Sequence, residues 1–282
     1  MLPGTDGARL EGFAPAKVNL TLHVTGQRAD GYHLLDSLVV FADCGDRLWL
    51  DPEGPLGLTV SGPRAAGVPT DASNLILKAA AHLGATRGAA HLEKHLPAAA
   101  GIGGGSSDAA TALRLYAKAA GRGVPDDGAA LGADVPVCLR GRATRMAGIG
   151  ERLSDLPDLP ALPAVLVNPA VDVPTPAVFK ALTRKDNPPM PAILPAFADP
   201  LGFAGWLNTQ RNDLEAPAGE QAPIITEVLA RLAAAEGCAL ARMSGSGATC
   251  FGLFGSAAGA SAAAAMIAAD HPDWWVQATT LR

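Results

Sequence analysis

The most constraining feature of this chain is a glycine-rich stretch, residues 96–110, between two segments of different periodicity. Residues 89–94 alternate apolar and polar side chains as a strand does, and residues 106–121 are rich in alanine and leucine as a helix is. Between them, residues 101–105 read Gly-Ile-Gly-Gly-Gly. Backbone without side chains lets a ligand approach closely, and N–H groups at a helix start attract anions. The pattern therefore predicts an anion-binding loop between a strand and a helix.

Two common phosphate-binding motifs do not fit this loop. A P-loop carries a lysine directly before its Ser/Thr, whereas here Gly105 precedes Ser106 and Ser107. The dinucleotide fingerprint also fails, because Ser106 occupies its last glycine position. What remains is a loop that binds phosphate through backbone N–H groups, with the two serine hydroxyls available to phosphate or Mg²⁺. A tight turn with serine as an ordinary helix cap stays open as the alternative.

Composition excludes several classes of protein. Over 282 residues, 49% are hydrophobic and 17% charged, which indicates a folded chain with a sizeable core. The net charge is −5 and no basic block occurs, so a nucleic-acid partner is not expected. Residues 257–269 form the most apolar long run, but alanine dominates it, and we expect a helix of a cytoplasmic protein rather than a membrane span. The four cysteines show no zinc-ligand spacing.

A lysine and an aspartate are candidate catalytic residues. Lys17 stands at the start of residues 18–24, whose alternation predicts a half-buried strand with Lys17 on the polar side. Asp134 precedes residues 135–147, which we expect to form strands. A kinase without a P-loop lysine needs a cation near the reacting hydroxyl and a carboxylate to accept its proton. Taken singly, each residue also fits a structural role, Lys17 as a solvated lysine and Asp134 as a turn residue.

The order of elements predicts an α+β fold in two domains. Strands are expected at 34–42, 46–51 and 56–61, followed by a helix at 75–83. The Pro-rich passage 153–163 interrupts the periodicity, and we place a domain boundary there, giving domains 1–155 and 156–282.

Several motifs together resemble those of the GHMP kinases, the superfamily of galactokinase, homoserine kinase and mevalonate kinase. They are residues 15–20 (Pro-Ala-Lys-Val-Asn-Leu), the segment 26–33, the glycine loop, residues 131–136 (Leu-Gly-Ala-Asp-Val-Pro), Pro174-Thr175-Pro176 with Phe179, Asn212-Asp213-Leu214-Glu215, and Ser244-Gly245-Ser246-Gly247. The motifs extend from residue 15 to about 255, nearly the whole chain. The glycine loop alone would indicate only the superfamily, whereas segment 26–33 points to one member.

The resemblance implies both a fold and a reaction. It implies a two-domain GHMP kinase fold, with an N-terminal domain similar to the second domain of ribosomal protein S5 and a ferredoxin-like C-terminal domain. ATP and Mg²⁺ are the implied cofactors. The implied substrate is a cytidine-diphosphate-linked methylerythritol of the non-mevalonate isoprenoid pathway, phosphorylated at its 2-hydroxyl. Another GHMP small-molecule kinase, of homoserine or mevalonate type, is the first alternative, and a non-catalytic nucleotide-binding protein is the second.

The resemblance also assigns roles to particular residues. Asp134 would be the base and Lys17 would keep it ionised. ATP would contact Pro97, Ala98, Ala99, Ala100, Gly101, Ile102, Gly103, Gly104, Gly105, Ser106 and Ser107, with Asn74 near the adenine. Asn19 would contact the substrate, Tyr32 and Phe179 would enclose the cytosine, and His33 would hydrogen-bond its edge. The chain departs from the family at Ala99 and Ala100, where glycine is usual. No metal ligand is assigned beyond Ser107 as a candidate, and a monomer or homodimer is expected.

Overall fold

A computed structural model describes residues 9–98 and 100–282 as a mixture of helices and strands. The strands are β1 (Leu10–Asn19), β2 (His23–Gln27), β3 (His33–Pro55), β4 (Gly57–Ser61), β5 (Arg87–Glu93), β6 (Thr144–Gly148), β7 (Arg152–Asp155), β8 (Leu162–Asn168), β9 (Cys238–Met243), β10 (Cys250–Phe254) and β11 (Trp275–Leu281). The α-helices are α1 (Leu75–His82), α2 (Gly104–Ala119), α3 (Val135–Arg140), α4 (Thr175–Ala181), α5 (Pro200–Asn208), α6 (Glu215–Gln221), α7 (Ile224–Ala234) and α8 (Ala257–Asp270). The α+β class is as predicted.

The first of two compact units contains residues 9–16, 45–98 and 104–140. In it, β5 pairs with β4 in parallel and with the second half of β3 in antiparallel fashion. A parallel pair needs a crossover, and α1 provides it between β4 and β5. The small residues Ala79 and Ala80 of α1 are fully buried, and α1 packs against α2. This unit carries the start of α2 and therefore the end of the glycine loop.

The second unit contains residues 17–44, 100–103 and 141–282. Its strands follow the order β3, β11, β8, β10, β9, and the pairs β11–β8, β8–β10 and β10–β9 are antiparallel. In addition, β2 pairs with β3, and β6 pairs with both β3 and β7. Buried apolar residues of β8 and β10 pack against α7 and α8, including Val165, Val167, Phe254, Val228 and Ile267. This core supports the second glycine turn, residues 244–247, between β9 and β10.

Three sequence predictions about individual elements were wrong. Residues 135–140 form helix α3 rather than a strand, because Pro136 fits the first turn of a helix while the valines had suggested a strand. The strands predicted at 34–42 and 46–51 are one continuous strand, β3, since no turn forms at Cys44–Gly45. The strand predicted at 18–24 is interrupted between β1 and β2.

The compact units do not decide whether a domain boundary lies at residue 155, as predicted. Residues on both sides of it, in β7 and β8, lie in the second unit. The units are also discontinuous along the chain, with divisions inside β1 and β3. A division into domains 1–155 and 156–282 stays a prediction.

The alanine-rich run that was predicted to be helical forms α8. In the parts of the chain that the structure describes, no helix has both the length and the apolar character needed to cross a membrane.

Asn212 holds the second glycine turn in place. Its side-chain amide donates hydrogen bonds to the carbonyl oxygens of Met243 (2.8 Å) and Gly245 (2.9 Å). Its side-chain oxygen accepts one from the backbone N–H of Leu214 (3.0 Å). Because Asn212 is buried, each of these groups would lose its partner without gaining water if the side chain were removed.

Replacement of Asn212 by alanine is expected to lower the free energy of unfolding by about 2–3 kcal/mol, because buried polar groups are left unsatisfied. Chemical denaturation of the purified variant measures this loss. The matched control is Asn208→Ala, which removes one exposed hydrogen bond to Ala239 (3.0 Å) and is expected to cost less than about 1 kcal/mol. Equal losses in the two variants would contradict the role given to Asn212.

Candidate active site

The glycine loop packs directly against the second glycine turn. Gly101 has φ = 71°, a left-handed conformation that glycine adopts without strain. A Cβ atom at Gly101 would lie 2.6 Å from the Ser244 carbonyl oxygen and 2.7 Å from the Gly247 carbonyl oxygen. The Ser244 hydroxyl donates a hydrogen bond to the Gly101 carbonyl oxygen (3.1 Å). The loop therefore needs glycine at residue 101 for both its conformation and its space.

Lys17 and Asn19 lie beside the loop within the second unit. The Lys17 backbone N–H donates to the Ile102 carbonyl oxygen (2.9 Å), and its ammonium donates to the Asn19 side-chain oxygen (2.8 Å). A Cβ atom at Gly103, where φ is 62°, would lie 3.1 Å from Cε of Lys17. The Asn19 backbone N–H donates to the Ser244 hydroxyl (3.0 Å). One network thus joins the predicted catalytic lysine, a predicted substrate residue and both glycine turns.

The polar residues of this first segment are buried, contrary to the half-buried strand predicted from their alternation. Lys17, Asn19, Thr21 and His23 are all at most 3% exposed. The reason is that polar partners face them, as where the Asn19 amide donates to the Ser37 hydroxyl (2.8 Å) and that hydroxyl donates to the Thr21 carbonyl oxygen (2.5 Å). Alternation indicates which residues share a side, but it does not show whether that side meets water.

The end of the loop becomes the first turn of α2, which begins at Gly104, two residues earlier than predicted. Ser106 is partly exposed, whereas Ser107 is 2% exposed. Ala100 is buried, and its carbonyl oxygen accepts a hydrogen bond from the Thr249 N–H (3.2 Å). Among the described residues other than glycine, Ala170 alone has a positive φ, so alanine at residue 100 is not strained in that way. Ala99 lies outside the described residues.

The remaining residues predicted to contact ATP lie in the first unit. Pro97 is partly exposed and Ala98 is exposed, both just before the loop. Asn74 is the N-cap of α1, because its side-chain oxygen accepts a hydrogen bond from the Ile76 N–H (2.9 Å). Its side-chain amide donates to the Pro69 carbonyl oxygen (2.7 Å). Asn74 thus has the structural role that a helix start requires, and its contact with adenine stays a prediction.

Asp134 lies directly before helix α3 and is partly buried. Its carbonyl oxygen accepts a hydrogen bond from the Cys138 N–H (3.1 Å), which continues the helical pattern into the preceding turn. Asp134 belongs to the first unit and Lys17 to the second. Their joint action stays a proposal.

His33 and Phe179 form an aromatic pair in the second unit. Their rings are stacked, with centroids 4.8 Å apart and planes inclined by 23°. Burial, with a smaller contribution from the charge of Lys185, lowers the pKa of His33, so the imidazole is neutral at neutral pH. Its Nε2 atom is buried and has no hydrogen-bond partner among the described residues. The pair offers a ring face together with an unused polar atom.

Tyr32 is 62% exposed, on the tight turn between β2 and β3. The Arg28 N–H donates to the Tyr32 carbonyl oxygen (2.8 Å), which closes this turn and sets His33 at the start of β3. Phe179 lies in α4 and also packs against the apolar core. The structure therefore brings His33 and Phe179 together, while an enclosure of cytosine by Tyr32 and Phe179 stays a prediction.

A buried cluster of charges beside the loop was missed by the sequence reasoning. The Lys94 ammonium donates to Asp46 (2.5 Å) and to Asp108 (2.7 Å), and all three residues are at most 4% exposed. Burial raises the pKa of Asp108 to about 7 against the opposing charge of Lys94. Burial also opposes the charged form of Lys94, but the two carboxylates outweigh it and raise the pKa of that ammonium. A signal was present, because Lys94 continues the buried side of β5 after Ala90 and Leu92.

The part of the chain that the structure describes was also compared with what a protein-bound metal ion needs. Within residues 9–98 and 100–282, no group of three or more His, Cys, Asp or Glu residues could hold a metal ion. A Mg²⁺ ion that accompanies a nucleotide is held largely by phosphate oxygens and water, so such a group is not a requirement for it.

Replacement of Gly101 by alanine is expected to lower the free energy of unfolding by about 2–3 kcal/mol, because a left-handed conformation and a backbone collision are both imposed. Differential scanning calorimetry measures the effect. The matched control is Gly205→Ala in α5, where nothing lies within 4 Å of an added Cβ and a helix gains up to about 1 kcal/mol. A Gly101 variant as stable as the control variant would refute the packing described for the loop.

Comparison with known proteins first gives the class. Residues 74–142 match the model of the GHMP kinases N terminal domain, and residues 190–272 match that of GHMP kinases C terminal. The homoserine kinase from Cytophaga hutchinsonii has a similar fold, with a TM-score of 0.65 at 18% identity, covering 100% of this chain and 97% of that chain. At 18% identity, this similarity is evidence for the fold alone.

Two comparisons at higher sequence identity show the family to which the chain belongs. The chain is 72% identical to the 4-diphosphocytidyl-2-C-methyl-D-erythritol kinase of Dinoroseobacter shibae, over 100% of both chains. A crystal structure of 4-(cytidine 5'-diphospho)-2C-methyl-D-erythritol kinase matches with a TM-score of 0.78 and 37% identity, covering 96% of this chain and 99% of that chain. The chain therefore belongs to the GHMP kinases, in the family of the 4-diphosphocytidyl-2-C-methyl-D-erythritol kinases. The resemblance seen in the sequence motifs and the two-domain GHMP kinase fold are both confirmed.

Proposed function

We propose that this chain transfers the γ-phosphoryl group of ATP to the 2-hydroxyl of 4-diphosphocytidyl-2-C-methyl-D-erythritol, giving the 2-phosphate and ADP. The observation that supports the proposal is the hydrogen-bond network around Lys17, which holds this predicted catalytic residue beside the glycine loop. The chain also belongs to a family of kinases for this substrate. Such an arrangement suits phosphoryl transfer, in which positioning and charge stabilisation supply most of the catalysis.

The glycine loop is proposed to hold the triphosphate through backbone N–H groups. No lysine stands before its serines, so the loop itself contributes no cation. The start of α2 adds partial positive charge where Gly104, Gly105 and Ser106 expose their N–H groups. Mg²⁺ bound to the phosphates would neutralise part of their charge, and the hydroxyls of Ser106 and Ser107 are the groups we assign to it.

Asp134 and Lys17 are proposed to carry out the chemistry. The Asp134 carboxylate accepts the proton of the attacking hydroxyl as its oxygen bonds to the γ-phosphorus and the bond to ADP breaks. The Lys17 ammonium is proposed to stabilise the negative charge that develops on the transferring phosphoryl group. Asn19 fixes the ammonium through its side-chain oxygen (2.8 Å), which gives it a positioning role besides the predicted contact with substrate.

The aromatic pair is proposed to recognise the cytidine end of the substrate. Phe179 offers a ring face, and the buried Nε2 of His33 has no hydrogen-bond partner among the described residues, so the edge of a base that displaces its covering atoms would supply one. Tyr32, which is exposed on the adjoining turn, would cover the base from its other face. A small-molecule substrate, a cytoplasmic location and a monomer or homodimer complete the proposal.

Replacement of Lys17 by methionine or Asp134 by asparagine is expected to lower kcat by at least about 10²-fold, since a catalytic charge or base is lost. ADP release in a coupled assay measures this with 4-diphosphocytidyl-2-C-methyl-D-erythritol as acceptor. Lys118→Met and Asp127→Asn, both at exposed residues, are the matched controls and should retain wild-type turnover. Near-normal turnover in both active-site variants would refute the mechanism. If the wild-type protein phosphorylated homoserine or mevalonate but not the cytidine substrate, the proposed substrate would be refuted.

Replacement of Phe179 by alanine is expected to raise KM for the cytidine substrate roughly tenfold, because stacking on a base is worth about 1–3 kcal/mol. KM for ATP should stay unchanged, and cytidine diphosphate should compete with the substrate in the wild type. The control is Phe197→Ala, which removes a ring stacked on Phe203 (4.5 Å). If the two variants gave the same KM for the cytidine substrate, the aromatic pair would not be its binding site.

A further inference from the structure

The buried charges of Asp46, Lys94 and Asp108 connect the two ends of the glycine loop. Asp46 belongs to β3, Lys94 directly follows β5, and Asp108 belongs to α2. One oxygen of Asp46 accepts hydrogen bonds from the backbone N–H groups of His95 (2.6 Å) and Leu96 (2.8 Å), where the chain enters the loop. Asp108 lies near the start of α2, where the chain leaves the glycine loop. The Lys94 ammonium contacts both carboxylates.

The surroundings leave this cluster little freedom. The Lys94 backbone N–H donates to the Ser61 carbonyl oxygen (2.7 Å), and its own carbonyl oxygen accepts from Arg64 (3.0 Å). A Cβ atom at Gly104, the first residue of α2, would lie 3.3 Å from the Lys94 ammonium nitrogen. The ammonium is thus packed directly against the backbone of the first helical turn. A small movement of the Lys94 ammonium would therefore shift the backbone at the start of α2.

A purely stabilising role explains such a cluster poorly. Removing three charged groups from water is costly, and buried ion pairs often add little net stability compared with apolar residues of similar size. Their best-attested use is to specify one geometry. Here the geometry that they specify is the spacing between the strand that enters the loop and the helix that leaves it.

We propose that Asp46, Lys94 and Asp108 form a clamp that fixes the two ends of the glycine loop, and that Lys94 and Asp108 are positioning residues for the triphosphate. The inference rests on the proposed function in taking ATP as the ligand of the loop. The clamp acts on the backbone N–H groups that receive the phosphates, whereas the alcohol substrate and the transferred proton involve other residues. Its loss therefore weakens ATP binding selectively.

The test compares Asp108→Ala with the conservative Asp108→Asn, whose side-chain oxygen still accepts the Lys94 hydrogen bond. Asp108→Ala is expected to raise the Kd and KM for ATP about tenfold, the equivalent of one buried hydrogen bond to a charged group, with kcat and the KM for the alcohol nearly unchanged. Asp108→Asn should restore ATP affinity to within about threefold of wild type. Isothermal titration with ATP and initial-rate kinetics supply these values.

Lys94→Met provides a second variant and should weaken ATP binding at least as much as Asp108→Ala. The matched control is Glu53→Gln, which breaks an exposed ion pair with Arg87 (2.6 Å) in the same unit and should leave ATP affinity unchanged. The clamp is overturned if folded Asp108→Ala binds ATP as wild type does, if asparagine fails to restore affinity, or if the KM values of both substrates rise together.

Direct titration separates this inference from the proposed function. A wild-type protein that binds ATP but does not phosphorylate the cytidine substrate would refute the proposed function, and the ATP affinities of the variants would still decide the clamp. A wild-type protein with no affinity for ATP would overturn both.

Discussion

The hydrogen bond from the buried Lys17 ammonium to Asn19 is the interaction on which the candidate site most depends. A buried ammonium is tolerated only where polar groups replace its water. Asn19 meets this need and is itself held by the hydroxyls of Ser37 and Ser244. Since Ser244 also donates to Gly101, the position of the lysine and the course of the glycine loop are set by the same contacts. A cation placed in this way needs little reorganisation when charge develops on a phosphoryl group.

Sequence reasoning recovered the glycine loop, the helix after it and the family, because these depend on local residue types in a fixed order. It failed where the outcome depends on distant partners. The alternation around Lys17 gave the correct grouping of side chains, but Ser37 and Ser244, which make burial of the polar side acceptable, are remote in the chain. Val135 and Val137 suggested a strand, yet a helix of six residues forms there.

The charge cluster shows a further limit of the sequence. Lys94 falls on the buried side of β5, which is a recognisable anomaly, but only the fold shows that Asp46 and Asp108 meet it. The fold in turn does not distinguish substrates, since the homoserine kinase of Cytophaga hutchinsonii is also similar in structure. We infer that substrate choice depends on the turn bearing Tyr32 and on the stacked pair of His33 and Phe179.

In the proposed reaction, the γ-phosphoryl group of ATP passes to one hydroxyl of the substrate. Phosphorus-31 NMR of the wild-type protein with ATP and 4-diphosphocytidyl-2-C-methyl-D-erythritol tests it most directly. Loss of the γ-phosphate signal, formation of ADP and one new phosphomonoester signal from the 2-position of the methylerythritol unit are expected, with the cytidine diphosphate signals retained. Formation of inorganic phosphate without a phosphomonoester, or phosphorylation at another hydroxyl, would contradict it.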